Sequence, residues 1–262
     1  MKRSAGTGAS TAWQGFSDEL ARWRDAGRRV EFWWRDDDAA RAVRSLDRLF
    51  ELARGTSTPL ALAAIPMHAQ EAIFDNTAGP LVSVLQHGTD HVDRAGPHEK
   101  KTEFNSAEAP AAALARLAAA RRQLEALAGK RFLPILVPPW NRMPLHLAPQ
   151  LGAAGLRGLS QFGVRPSAEA CAGIPQVNTH VDIIAWHAGR GFAGEVQVLA
   201  AAVRHMAAKR MATADADEAT GWLTHHAMHD EAAWTFLERL FETTRDQPAV
   251  VWRHAAELFH AS

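Results

Sequence analysis

The sequence predicts an α/β fold on three observations. Short β-branched and aromatic runs alternate with stretches patterned as helices, polar clusters follow the strand-like runs, and 262 residues suit one large domain. Strands that alternate with helices imply parallel βαβ units, arranged as an open doubly wound sheet or a closed barrel. A single domain over 1–262 is expected, with the small, polar stretch 1–12 as a flexible N-terminus.

Val30–Arg35 (VEFWWR) is apolar and aromatic and reads as a buried strand that stops at Asp36, Asp37 and Asp38. From Ala39 to Arg54 the apolar residues Val43, Leu46, Leu49, Phe50 and Ala53 share one helical face, with Gly55 as the stop. Pro59–Ile65 reads as a second strand, His68–Asn76 as a short helix, and Leu81–Gln86 as a third strand running into His87. Gly88–Asn105 is polar and reads as a long functional loop. Ser106–Ala128 is patterned as the longest helix, with Ser106 as N-cap and Gly129 past its end. Phe132–Val137 is the next strand and ends at Pro138, Pro139 and Trp140; Gly221–Thr224 is a late strand entering His225, and Glu231–Thr243 a helix.

Composition excludes several classes. At 47% hydrophobic and 22% charged residues the chain is neither disordered nor collagen-like nor a coiled coil. Lys plus Arg number 29 and Asp plus Glu 29, so the basic footprint of a dedicated nucleic-acid binder is missing. One cysteine, Cys171, cannot form an internal disulfide. No run approaches the ~18 apolar residues of a membrane span, and Met1–Ser10 has no signal-peptide pattern, so a cytoplasmic location is expected. No feature specifies an oligomeric state.

Four polar constellations carry the chemistry. Asp36-Asp37-Asp38 sets three carboxylates side by side, and a cation or an arginine among them relieves their repulsion. The ordinary alternative is an acidic helix N-terminus capped by Asp38. His87 and His91 lie four residues apart, a spacing that on a helical turn lets both imidazoles reach one metal; the ordinary alternative is two solvated histidines. Together with a strand-end carboxylate they supply two nitrogens and one oxygen. Val137-Pro138-Pro139-Trp140-Asn141-Arg142 holds the backbone extended beside an aromatic wall. Leu223-Thr224-His225-His226, followed by His229 and Asp230, offers a histidine as general acid.

In this order, from Phe32 to about His229, these segments resemble the metal-dependent polysaccharide deacetylases, carbohydrate esterase family four. The resemblance implies a distorted (β/α) barrel of about seven parallel strands and a divalent metal ion, with Zn2+ the expected one. It also implies metal-dependent amide hydrolysis that removes an N-acetyl group from a sugar or oligosaccharide. In the family's first motif the earlier aspartate is the base and the later one binds metal, which implies Asp37 as base and Asp38 as ligand; the register with Asp36 and Asp37 is the alternative. His87 and His91 match the second motif and complete the ligand set. Pro138-Pro139-Trp140 resembles the third, whose backbone amide stabilises the oxyanion, and Asp182-Ile183-Ile184-Ala185-Trp186 resembles the fourth, with Trp186 lining the acyl pocket. Leu223-Thr224-His225 matches the fifth, whose histidine protonates the leaving amine. Trp140, Trp186 and Arg142 are the residues expected to touch substrate.

Two departures stand out. Val137 replaces an arginine and Ala185 an aspartate that normally orient the catalytic base, and losing both avoids a lone buried charge. Arg35 or Arg142 is expected to restore the positive charge. Three other readings share some of these features: a non-haem iron oxygenase built on the same donor set, a hydrolase of a cyclic ureide or imide, and a silent carbohydrate-binding relative. His98, His180, His187, His205, His226, His229, His254 and His260 have no comparably spaced partners and are expected to be solvated or structural.

Overall fold

The computed structural model describes residues 3–75 and 79–260. The chain runs through α1 (Arg3–Asp25), β1 (Val30–Ala39), α2 (Arg44–Thr56), β2 (Leu60–Ala64), α3 (Ala72–Asp75), β3 (Val82–His87), α4 (Pro110–Ala128), β4 (Phe132–Val137) and β5 (Gly158–Leu159). It continues through β6 (Glu169–Cys171), β7 (Ile174–Pro175), β8 (Val181–Asp182), α5 (Glu195–Arg210), β9 (Thr220–Thr224), α6 (Glu231–Arg245), β10 (Val250–Trp252) and α7 (Ala255–His260).

The strands lie in the order β5-β4-β3-β2-β1-β9-β8, with every pairing parallel, and β10 adds to the first residues of β1. Parallel bridges Leu159↔Gln176 and Phe162↔Thr179 tie β5 and the residues after it to the segment that leads into β8, so the sheet curls into the expected distorted barrel. Helices cover its outside. β6 and β7 form a separate antiparallel hairpin.

The pattern of buried residues explains the elements. The central strands β2 and β9 are buried at every position, as parallel strands covered on both faces must be. Between helix and sheet lies an aromatic core in which Phe32 packs edge-on to Trp222 and Trp252, at 5.7 and 5.2 Å between ring centres. Gly221 admits no side chain: a Cβ there would sit 2.5 Å from Trp33 Nε1 and 2.6 Å from the Asn178 carbonyl oxygen.

Several boundaries differ from expectation. β1 does not stop at Asp36 but continues to Ala39, because each carboxylate finds a partner inside the fold. α2 starts at Arg44 and passes through Gly55 to a left-handed cap at Ser57, whose N–H reaches the carbonyls of Ala53 and Arg54. α4 starts at Pro110 and not near Ser106, since proline suits the first helical position and keeps the preceding residue out of the helical region. The stretch His68–Asn76 splits into a 3-10 turn, Pro66–His68, and α3, while Asn76 lies outside the described residues. Met1 and Lys2 of the expected flexible terminus also lie outside them, and 3–12 belong to α1. That helix buries Trp13, Phe16, Leu20 and Trp23 at spacings of three and four, a pattern legible in the sequence.

Candidate metal centre and active site

All the singled-out segments end at one rim, the C-terminal ends of the strands, where parallel α/β folds assemble their sites. Asp36–Asp38 come from the end of β1, His87 from the end of β3 and His91 from the loop beyond it. Trp140 follows β4, Asp182 ends β8, and His225 follows β9.

A bulge makes the first contribution. Between Asp36↔Leu62 and Ala39↔Ala64, β1 has one residue more than β2, and Asp38 has φ 71°. In a regular strand Asp38 would share a face with Asp36; the extra residue re-aims it. Its Oδ1 lies 3.0 Å from His87 Nε2 and 3.2 Å from His91 Nε2. His87 donates Nδ1–H to the Val137 carbonyl at 3.0 Å, which fixes the ring and leaves Nε2 facing Asp38.

The two histidines do not meet on a helical turn. Gly88 (φ 59°) and His91 (φ 57°) are both left-handed, and the sharp turn between them brings the rings to 5.1 Å. Glu103, fully buried and absent from the sequence-based site, holds this turn. Its carboxylate accepts the Thr89 N–H at 2.9 Å, the Asp90 N–H at 2.9 Å and the Thr89 hydroxyl. Nothing in its sequence position marks Glu103 out among the polar residues of the loop.

The cation beside the carboxylates is Arg35. Arg35 and Asp37 are two residues apart and so share a strand face; Nε and Nη2 donate to the two Asp37 oxygens at 2.8 and 2.9 Å. The remaining Arg35 donors reach Ser160 Oγ at 2.6 Å and Asn141 Oδ1 at 2.7 Å. Arg142 instead is exposed and donates to the Lys101 carbonyl at 3.2 Å, so it does not supply the missing charge. Asp36 points elsewhere: it accepts from Thr224 Oγ1, the His226 N–H and His226 Nδ1, at 2.6, 3.0 and 2.5 Å. The three adjacent aspartates therefore have three different partners, and Asp38 is the one brought to the imidazoles.

Electrostatics agree with this division. Burial alone would raise Asp38, but the hydrogen bonds from His87 and His91 outweigh it and hold the carboxyl well below the usual range. Burial also opposes the charge on His87, yet Asp38 and Asp37 push its pKa up. Burial would likewise raise Asp36, and His226 holds it down.

Trp140 (φ 54°) and Asn141 (φ 55°) turn back over the site, and the Trp140 ring lies 4.5 Å from His91. Of the seven non-glycine residues with positive φ among the described residues, Asp38, His91, Trp140 and Asn141 surround this one point. Such backbone strain costs on the order of 1–3 kcal/mol per residue and concentrates where function requires it. Trp186, 37% exposed, packs edge-on against His225 at 4.7 Å and donates Nε1–H to Asp182 at 2.7 Å.

The donor set fits a metal ion. Asp38, His87 and His91 each aim one ligand atom at a common point, and one imidazole is already oriented through its other nitrogen. A second group, His180, His205 and Glu218, is buried but fits poorly. His180 Nδ1 accepts the Gly221 N–H at 3.0 Å, so its Nε2 carries the proton and offers no lone pair.

With this geometry in place, comparison with solved structures identifies the fold. A protein from Mycobacterium smegmatis assigned as a polysaccharide deacetylase superposes with a TM-score of 0.66 over 90% of each chain, at 12% identity. The peptidoglycan deacetylase PdaC of Bacillus subtilis gives 0.53 at 11% identity, covering 88% of this chain and 90% of that one. A family 4 carbohydrate esterase from Streptomyces lividans, solved with acetate, gives 0.50 at 12% identity over 83% and 90%. No protein-family model matches the chain, and no curated protein matches it by sequence. The fold is thus that of the polysaccharide deacetylases, as the five motifs imply, at a sequence distance where fold is what the likeness establishes. An antiparallel jelly roll, the usual setting of the iron oxygenase reading, is not what the chain forms.

Proposed function

We propose that the protein is a metal-dependent hydrolase that removes N-acetyl groups from a carbohydrate. One observation carries the reading: Asp38, His87 and His91 converge on a point beside the Arg35-paired carboxylate of Asp37. A divalent cation held there, zinc by the preference of a carboxylate with two imidazoles, would supply Lewis-acid polarisation of the acyl group and of water.

The chain's own residues supply the rest. Asp37 takes the proton of the attacking water, and Arg35 keeps that carboxylate aimed. The backbone N–H of Trp140 faces the oxygen on which negative charge develops. His225 gives a proton to the departing nitrogen, so acetate and a free amine leave. Trp140 and Trp186 form aromatic walls for sugar and acyl group, with Arg142 exposed on the Trp140 loop. The neighbours named as polysaccharide and peptidoglycan deacetylases and as a carbohydrate esterase support this substrate class.

The test is acetate release from N-acetylated sugars by protein loaded with zinc, with metal content measured in parallel. Metal binding without acetate release, combined with ring opening of a cyclic imide or ureide, would replace this reading with the other amide hydrolase. Sugar binding without any turnover would make the protein a binding relative.

A further inference from the structure

Asp36 is the aspartate that the proposed chemistry leaves without a task, and its surroundings give it one. The carboxylate is fully buried at the end of β1. It accepts hydrogen bonds from the Thr224 hydroxyl at 2.6 Å and from the His226 backbone and ring at 3.0 and 2.5 Å. Thr224 and His226 are the two residues that flank His225. The Thr224 hydroxyl is held in turn by Trp34 Nε1 at 2.8 Å, so strand β1 grips the chain on both sides of this histidine.

His225 lacks the anchor a catalytic histidine usually has. Its Nδ1 is buried with no hydrogen-bond partner among the described residues, and position 185, next to the Trp186 that packs against it, is alanine. Trp186 packs on the ring and the carboxylates of Asp182 and Asp38 act on it through charge, but no side-chain hydrogen bond among the described residues fixes it, so its position follows the backbone that carries it. That backbone is tied to β1 through Asp36.

We propose that Asp36 is a positioning residue for His225: its carboxylate clamps Thr224 and His226 and so fixes the proton donor relative to Asp37 and Asp38 on the same strand. The proposal rests on the reading of His225 as proton donor to the leaving amine. It explains why three aspartates stand in a row, one for the acid, one for the base and one for the metal.

The experiment compares zinc-loaded wild type, Asp36→Asn, Asp36→Ala and His225→Ala on two substrates. In an N-acetylglucosamine oligomer the amine must be protonated to leave, whereas in p-nitrophenyl acetate the phenolate leaves unaided. In both Asp36 variants the ratio of amide to ester turnover is expected to fall by about tenfold or more, in the same direction as in His225→Ala, with zinc content unchanged. A general loss of structure lowers both substrates together, so an equal loss on both, no loss, or loss of zinc overturns the clamp. A second readout needs no turnover. The His225 ring proton signal of the metal-free protein should be a single sharp line in wild type and broadened or doubled in Asp36→Asn and Asp36→Ala; an unchanged line also overturns the proposal. Should wild type release acetate from neither substrate, the hydrolase reading fails while the ring signal still decides the clamp.

Discussion

Arg35 and Asp37, two residues apart on β1, hold each other through two parallel hydrogen bonds of 2.8 and 2.9 Å inside the barrel. Arg35 thereby sets a positive charge beside the Asp37 carboxylate from within the same strand. Its removal is expected to be costly, because Asp37 would stay buried without its counter-charge. Arg35→Met should destabilise the fold by about 3–5 kcal/mol in a urea melt. Arg35→Lys keeps the charge and loses the fork, so turnover should drop at least about tenfold while stability recovers in part. Wild-type turnover in Arg35→Lys would show that bidentate aim is unimportant.

The metal centre predicts a split among variants. Asp38→Ala, His87→Ala and His91→Ala should each lose the bound ion in elemental analysis, whereas His225→Ala should retain it. Since a metal that binds only the folded chain stabilises it by mass action, a chelator should lower Tm in wild type and leave the three ligand variants unmoved. Tight metal retention by any of the three contradicts the assignment.

Gly88 tests the turn that carries both imidazoles. A Cβ at this position would lie 1.8 Å from Glu103 Oε2 and 2.6 Å from Pro139, on a backbone with φ 59°. Gly88→Ala should therefore cost roughly 1–3 kcal/mol from conformational strain alone and more from the clash. Metal affinity should fall with it, as the turn can no longer close on Glu103. Isothermal titration with zinc measures this; an unchanged affinity would mean that Glu103 does not hold the histidine turn in place.

His180 and His205 give the stability a defined dependence on pH. Their rings stack 3.5 Å apart; His205 Nε2 is buried without a hydrogen-bond partner among the described residues, while His180 Nε2 lies 3.3 Å from Glu218 Oε2, whose charge only partly offsets burial. Burial pushes both imidazoles down, His205 to about 2, with His180 and Lys209 adding to the effect on His205. In the unfolded chain each takes up a proton near its ordinary pKa of about 6.5, so acid favours unfolding. This contribution is fully present above that pH and is lost below it, at up to about 1.4 kcal/mol per pH unit for each histidine. Urea melts from about pH 7 to 5 should show the decline, and His205→Leu should flatten it. An equal slope in both proteins rules out the stacked pair as its source.

The sequence alone determined the strand and helix order around the site, because buried parallel strands and amphipathic helices have periods that need no partner to be seen. It also marked Asp36–Asp38, His87, His91, Trp140 and His225, since residue types suited to chemistry stand at strand ends, and the resemblance to the deacetylases added Trp186 and the choice of Asp37 and Asp38. What it left open was decided by packing. The choice between the Asp37/Asp38 and Asp36/Asp37 registers, and so between Asp38 and Asp37 as the residue facing the imidazoles, depended on a bulge opposite β2, and no local preference encodes a register between strands. Arg35 and Arg142 were equal candidates until the pleat placed Arg35 on the face of Asp37. Glu103 and Asp36 gained their partners from residues 14 and about 190 positions away. Those pairings follow from β9 lying beside β1 and from the fold of the loop after β3, and only the tertiary structure holds that information.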